Sequence, residues 1–136
     1  MTPVQEIMSS DVLSIAPTAS VLEALRMMSG ADVRHLPVVD DGRLVGIISD
    51  RDIHRFEGAD GVSDNVVMRH LTAPVSASMS TALHTVTPTT SLDEAAQAMI
   101  DAKVGALPVV EGDAIVGMVS TIDLLAWLRR QGRLDA

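Results

Sequence analysis

The chain has 136 residues, 47% of them hydrophobic, with one Phe and one Trp as its only aromatics and no cysteine. That length fits one compact domain or two very small ones, with a core of Val, Ile, Leu, Met and Ala. A net charge of -8 argues against general nucleic-acid binding by phosphate neutralisation, and the missing cysteines exclude disulfides, thiolate metal sites and thiol catalysis.

In chain order, Val12 to Ala16 reads as a short, half-apolar strand that stops at Pro17, which cannot donate to a ladder. Ser20-Val21-Leu22-Glu23 has the form of a capping box, in which hydroxyl and carboxylate each satisfy an orphan amide at a helix start. Val21, Ala24, Leu25 and Met28 then form one buried stripe at i, i+3, i+4 and i+7. Two β-branched runs follow, Leu36 to Val39 and Leu44 to Ile48, and the Asp41-Gly42 between them is a hairpin signal. A second helix is expected from Ser49. Residues 57–74 begin rich in Gly, Asp and Ser and read as a connection.

The same order then returns. Ser91 and Glu94 repeat the cap, Leu92, Ala95, Ala96 and Met99 the stripe, Glu111-Gly112-Asp113 the turn, and Ser120 the second helix start. Val4 to His54 aligns with Val75 to Leu125 without a gap, with about 19 of roughly 51 positions identical. Shared landmarks include Met8 with Met79, Pro17 with Pro88, and Leu36-Pro37-Val38-Val39 with Leu107-Pro108-Val109-Val110. Val45-Gly46 pairs with Val116-Gly117, and even Phe56 corresponds to Trp127. The chain is a duplicated β-α-β-β-α unit of the α/β (α+β) class. The expected division is residues 1–60, a linker 61–74 and residues 75–136. Units this small are marginal alone, so the two sheets are expected to pack on each other with pseudo-twofold symmetry.

The most suggestive chemistry lies in Gly46-Ile47-Ile48-Ser49-Asp50-Arg51-Asp52, echoed by Gly117-Met118-Val119-Ser120-Thr121-Ile122-Asp123. Ser-x-x-Asp is a helix cap. The same geometry also serves a ligand: free amides and the positive helix end receive a phosphate, and the carboxylate accepts the hydroxyls of a ribose. On that reading Gly46 and Gly117 clear space for a ligand to approach the backbone.

The duplicated unit, with Leu-Pro-Val-Val before the hairpin and Gly-h-h-Ser-x-x-Asp (h apolar) after it, resembles a tandem pair of CBS domains, a Bateman module, over roughly residues 4–130. The resemblance implies a regulatory module that senses an adenosine-containing ligand (AMP, ADP, ATP, S-adenosylmethionine or NAD) rather than an enzyme. It implies composite sites. Ser49 and Asp52 would face a base pocket near Thr85, Val86, Val104 and Ala106, while Ser120, Thr121 and Asp123 would face one near Ser14, Ile15, Val33 and His35. Arg34, His35 and Arg51 stand where the second repeat has Gly105, Ala106 and Ile122. They would surround phosphate groups, making the Ser120–Asp123 site the tighter one for a phosphorylated ligand.

His54, His70 and His84 show no metal-ligand spacing, and neither a nucleophile elbow nor a zinc-protease pattern occurs. The eight methionines read as core filling. No catalytic cofactor is expected. Ile122, Leu124, Leu125, Trp127 and Leu128 are apolar on more than one helix face, which points to a homodimer through the second helices, unless Trp127 folds back on its own core. The chain opens without a basic region followed by an apolar stretch, and no apolar run nears the ~20 residues that cross a bilayer. The expectation is a cytoplasmic nucleotide sensor without membrane insertion, acting through an effector protein. The competing expectation is a structural module whose sites bind nothing.

Overall fold

The computed structural model describes residues 1–54 and 64–135. Phe56, paired with Trp127 in the repeat, lies outside them. The chain divides into two compact units, one formed by residues 13–83 and the other by residues 1–12 together with 84–136.

In the unit of residues 13–83, helix α1 (Val21–Ala31) starts at Ser20, whose Oγ accepts from the Glu23 amide at 3.1 Å. Its stripe is buried as the spacing predicts: Val21, Ala24 and Met28 join Leu36, Val38 and Ile48 in one core. The helix ends at Asp32, in the left-handed region at φ 54°, where its amide donates back to Met28 and Ser29. A short polar side chain tolerates that conformation better than most. Strands β1 (His35–Asp40) and β2 (Arg43–Ser49) form the expected antiparallel hairpin. Asp41 and Gly42 both take positive φ, 52° and 80°, the requirement of the tightest hairpin turn. Val38 lies opposite Gly46 and Val39 opposite Leu44, so Val45 is the extra residue of a bulge.

Two sequence expectations change here. The strand expected over Val12 to Ala16 shrinks to one bridging residue: Ile15 donates to Pro37 O at 3.0 Å and accepts from Val39 at 2.9 Å. Pro17 has no amide to continue the ladder. The stretch read as a connection contains helix α3 (Asp64–Thr72). In the sequence its apolar Val66, Val67 and Met68 stand consecutively next to the polar stretch, which masks the helical spacing; in the structure these three are exposed and Leu71 packs on the core. The helix expected from Ser49 is described over Asp50–Ile53, as α2.

The other unit repeats the plan with α4 (Leu92–Ala102), β3 (Ala106–Glu111), β4 (Ala114–Ser120) and α5 (Thr121–Arg130). Ser91 caps α4, and Leu92, Ala95 and Met99 are buried with Leu107, Val109 and Val119. Val86 takes the single-bridge role of Ile15.

Each core is closed by a segment distant in sequence. Val75 and Met79 complete the core of residues 13–83, and Ser80 pairs with Ile47 along the free edge of β2. Their repeat counterparts Val4, Met8 and Ser9 do the same for the other core, with Ser9 pairing Met118 on β4. Both edge contacts are reciprocal, for example Ile47 N–H to Ser80 O at 3.0 Å and Ser80 N–H to Ile47 O at 2.8 Å.

Candidate functional site

Both strand-to-helix junctions are built alike. At the end of β2, Ser49 Oγ accepts from the Asp52 amide at 3.1 Å, and Asp52 Oδ2 accepts from the Ser49 amide at 2.9 Å. At the end of β4 the bonds are 3.2 Å from the Asp123 amide to Ser120 Oγ and 2.8 Å from the Ser120 amide to Asp123 Oδ2. Each Ser–Asp pair is therefore a reciprocal capping box, half-buried at the head of its helix. A backbone bond ties each helix start to the residue leading into the first hairpin strand: Asp50 N–H to Arg34 O at 2.8 Å, and Thr121 N–H to Gly105 O at 3.0 Å. This bond brings Arg34 and His35 to the Ser49–Asp52 junction.

His35 lies opposite Ser49 in the hairpin. Burial lowers its pKa from the ordinary 6.5; Asp52 opposes that shift, Arg51 adds to it, and Asp50 and Arg34 act in the same two senses more weakly. The imidazole is thus held toward its neutral form. Arg34 is 80% exposed and its Nη1 donates to Asp50 Oδ2 at 3.2 Å; the other oxygen of Asp50 receives His54 Nε2 at 3.0 Å. Arg51 is exposed on α2. Asp50 was not singled out from the sequence. The signal for it was the repeat alignment, which sets Asp50 against Thr121 and His54 against Leu125.

The remaining candidates divide by burial. Ser14, Thr85, Val33 and Thr121 are exposed, Val104 is half-buried, and Ala106 is buried opposite Ser120. Ile15 and Val86 put their side chains into the two cores. His70 Nε2 donates to the carbonyl of Ile53 at 2.8 Å, and His84 is exposed. Among the described residues no group of three His, Cys, Asp or Glu is placed to hold a metal, and no helix is long and apolar enough to cross a membrane.

The two motif glycines have a reason internal to the fold. A Cβ on Gly46 would lie 2.6 Å from Met79 Sδ and 3.0 Å from Ser80 O; one on Gly117 would lie 2.5 Å from Met8 Sδ and 3.0 Å from Ser9 O. The space expected for a ligand at these positions is filled by a thioether and an edge-strand carbonyl.

Along α4 and α5, an apolar groove of about 630 Å³ is lined by Leu92, Ala96, Met99, Leu124, Trp127 and Leu128, among others. Trp127 rests on its own core, as the alternative to a dimer contact anticipated, with Arg133 5.8 Å from its ring centre. Ile122 and Leu125 are 69% and 49% exposed.

The CBS domain family profile matches residues 4–58 and 73–130. The CBS domain-containing protein YhcV of Bacillus subtilis is 35% identical over 124 residues, spanning 91% of this chain and 84% of its own. An inosine-5'-monophosphate dehydrogenase of Thermoplasma acidophilum is 28% identical over 122 residues, but the match spans only 22% of that enzyme. The crystal structure of the CBS domain pair of protein MJ0100, in complex with 5'-methylthioadenosine and S-adenosyl-L-methionine, superposes with a TM-score of 0.83 at 25% identity, covering 96% of this chain and 98% of that one. With both repeats matched by one profile and the whole fold shared with a solved pair, the chain belongs to the CBS domain family as a tandem CBS pair.

Proposed function

We propose that this CBS pair is a cytoplasmic regulatory module that binds an adenosine-containing ligand and passes its occupancy to a separate effector protein, without transforming the ligand. AMP, ADP, ATP, S-adenosylmethionine and NAD are the candidates. The observation that carries the reading is the Ser–Asp pair repeated at the same junction in both halves, Ser49 with Asp52 and Ser120 with Asp123. Each places a hydroxyl and a carboxylate at a helix head, where phosphate and ribose hydroxyls find complementary partners. The adenosine compounds held by the MJ0100 pair support the ligand class. With Trp127 packed on its own core, the homodimer through the second helices is proposed on the exposed Ile122 and Leu125 of α5 alone.

A second reading has its own observation. Both Ser–Asp pairs close reciprocal capping boxes, as they would in a structural module that binds nothing. Calorimetry with the adenosine series on Asp52→Ala, Asp123→Ala and the double variant separates the two. Loss of a charge-assisted bond to ribose is expected to weaken binding about tenfold to a hundredfold per site. Affinity unchanged in the folded double variant would leave the carboxylates as caps alone.

A further inference from the structure

The internal repeat supplies a built-in control for the charges at the β2–α2 junction. The backbone bond from residue 50 to residue 34 has its twin from residue 121 to residue 105, at 2.8 and 3.0 Å. The capping boxes are also matched bond for bond. Yet the side chains that surround this shared frame differ completely: Arg34, Asp50 and His54 in one repeat are Gly105, Thr121 and Leu125 in the other. The fold therefore forms this junction without any of the three. Their arrangement is specific, since one carboxylate serves two basic groups, Oδ2 holding Arg34 at 3.2 Å and Oδ1 holding His54 at 3.0 Å.

Such a pair is easily exchanged. The Arg34 side chain is 80% exposed and the Asp50 side chain 37% exposed, a setting in which water and salt screen most of the attraction. A phosphate offers a guanidinium more oxygens and more charge than one carboxylate does. With a net charge of -8, the protein as a whole repels an anion, so a local guanidinium matters to its binding.

We propose that Asp50 is a specificity-determining residue: by holding Arg34 in an ion pair it makes an anionic ligand compete for the guanidinium, so that the first repeat discriminates among ligands by their phosphate charge. This rests on the adenosine-ligand reading for the identity of the nucleoside but not for the behaviour of the ion pair. A ligand without phosphate leaves the pair closed. A polyphosphate takes Arg34 over, and Asp50 is left with His54 alone.

The test is calorimetry with adenosine, ATP and tripolyphosphate on the wild type, Asp50→Asn, Arg34→Ala and the double variant. Asp50→Thr, which installs the residue of the second repeat, guards against an effect of the amide itself. Removing the carboxylate is expected to strengthen ATP and tripolyphosphate binding about threefold to fivefold, the upper end of what an exposed ion pair is worth, and to leave adenosine within about twofold. With Ala at position 34 the gain should fall below about twofold, because no guanidinium remains to be released. An equal gain with and without Arg34 would show that Asp50 acts only by its general field, and no gain with either anion would remove its role altogether. Each result overturns the proposal. A wild type that ignores adenosine and binds ATP no tighter than tripolyphosphate, while both anions show the Arg34-dependent gain, would uphold the ion-pair inference and sink the nucleotide reading.

Discussion

Replacing Gly46 by Ala would place a methyl group 2.6 Å from Met79 Sδ, 3.0 Å from its Cγ and 3.0 Å from Ser80 O. Two effects oppose each other. Alanine in a strand interior is favoured over glycine by roughly 0.5–1 kcal/mol on conformational grounds, so in open space the substitution would stabilise the fold. Overpacking costs about 1–3 kcal/mol. The thioether can turn aside, but the Ser80 carbonyl is held by the reciprocal edge bonds to Ile47 at 3.0 and 2.8 Å, so overpacking wins. The expected net loss of about 1–2 kcal/mol corresponds to a melting point lower by about 3–6 °C for a domain of this size. Thermal and urea unfolding of Gly46→Ala, Met79→Ala and the double variant give a cycle in which the methyl costs less once the thioether is gone, with a coupling of about 1 kcal/mol. Gly117 with Met8 should behave alike. A Gly46→Ala protein that melts at or above the wild type, or a methyl whose cost is the same in both backgrounds, would refute the packing explanation of these glycines.

Two further outcomes are expected. Ile122→Asp puts a charge on an exposed side chain at the rim of the α4–α5 face; sedimentation should show a dimer for the wild type and a monomer for the variant, with the melting point little changed, and a monomeric wild type at high micromolar concentration would reject the dimer. His35, whose pKa is lowered by burial from 6.5, favours the folded state while neutral. Its contribution is complete above pH 6.5 and is lost as the pH falls from there through the lower folded-state value, since the unfolded chain then binds the extra proton. His35→Ala, matching Ala106 of the second repeat, should therefore lose less stability than the wild type between pH 7.5 and 5, and equal losses would contradict the assigned shift.

Much of this protein was legible in its sequence because local rules and the repeat agreed. The Ser20 and Ser91 caps, the apolar stripes of α1 and α4 and the Asp41-Gly42 turn are each set within a few residues by amide satisfaction, helical periodicity and backbone sterics. The Ser49–Asp52 and Ser120–Asp123 boxes are equally local, and the family resemblance followed from their repetition. Three features needed the tertiary structure. Ile15 makes a bridge rather than a strand because a ladder depends on its neighbour. Gly46 and Gly117 are explained by Met79 and Met8, about 33 and 109 positions away in the chain. Most of all, Val4 and Met8 align in sequence with Val75 and Met79, yet Val4 and Met8 pack with Val86, Leu107 and Val119, while Val75 and Met79 pack with Ile15, Leu36 and Ile48. The two segments share the Val and Met that enter a core, and their sequence alignment does not say which core, so the path of the chain in space decides which core each one closes.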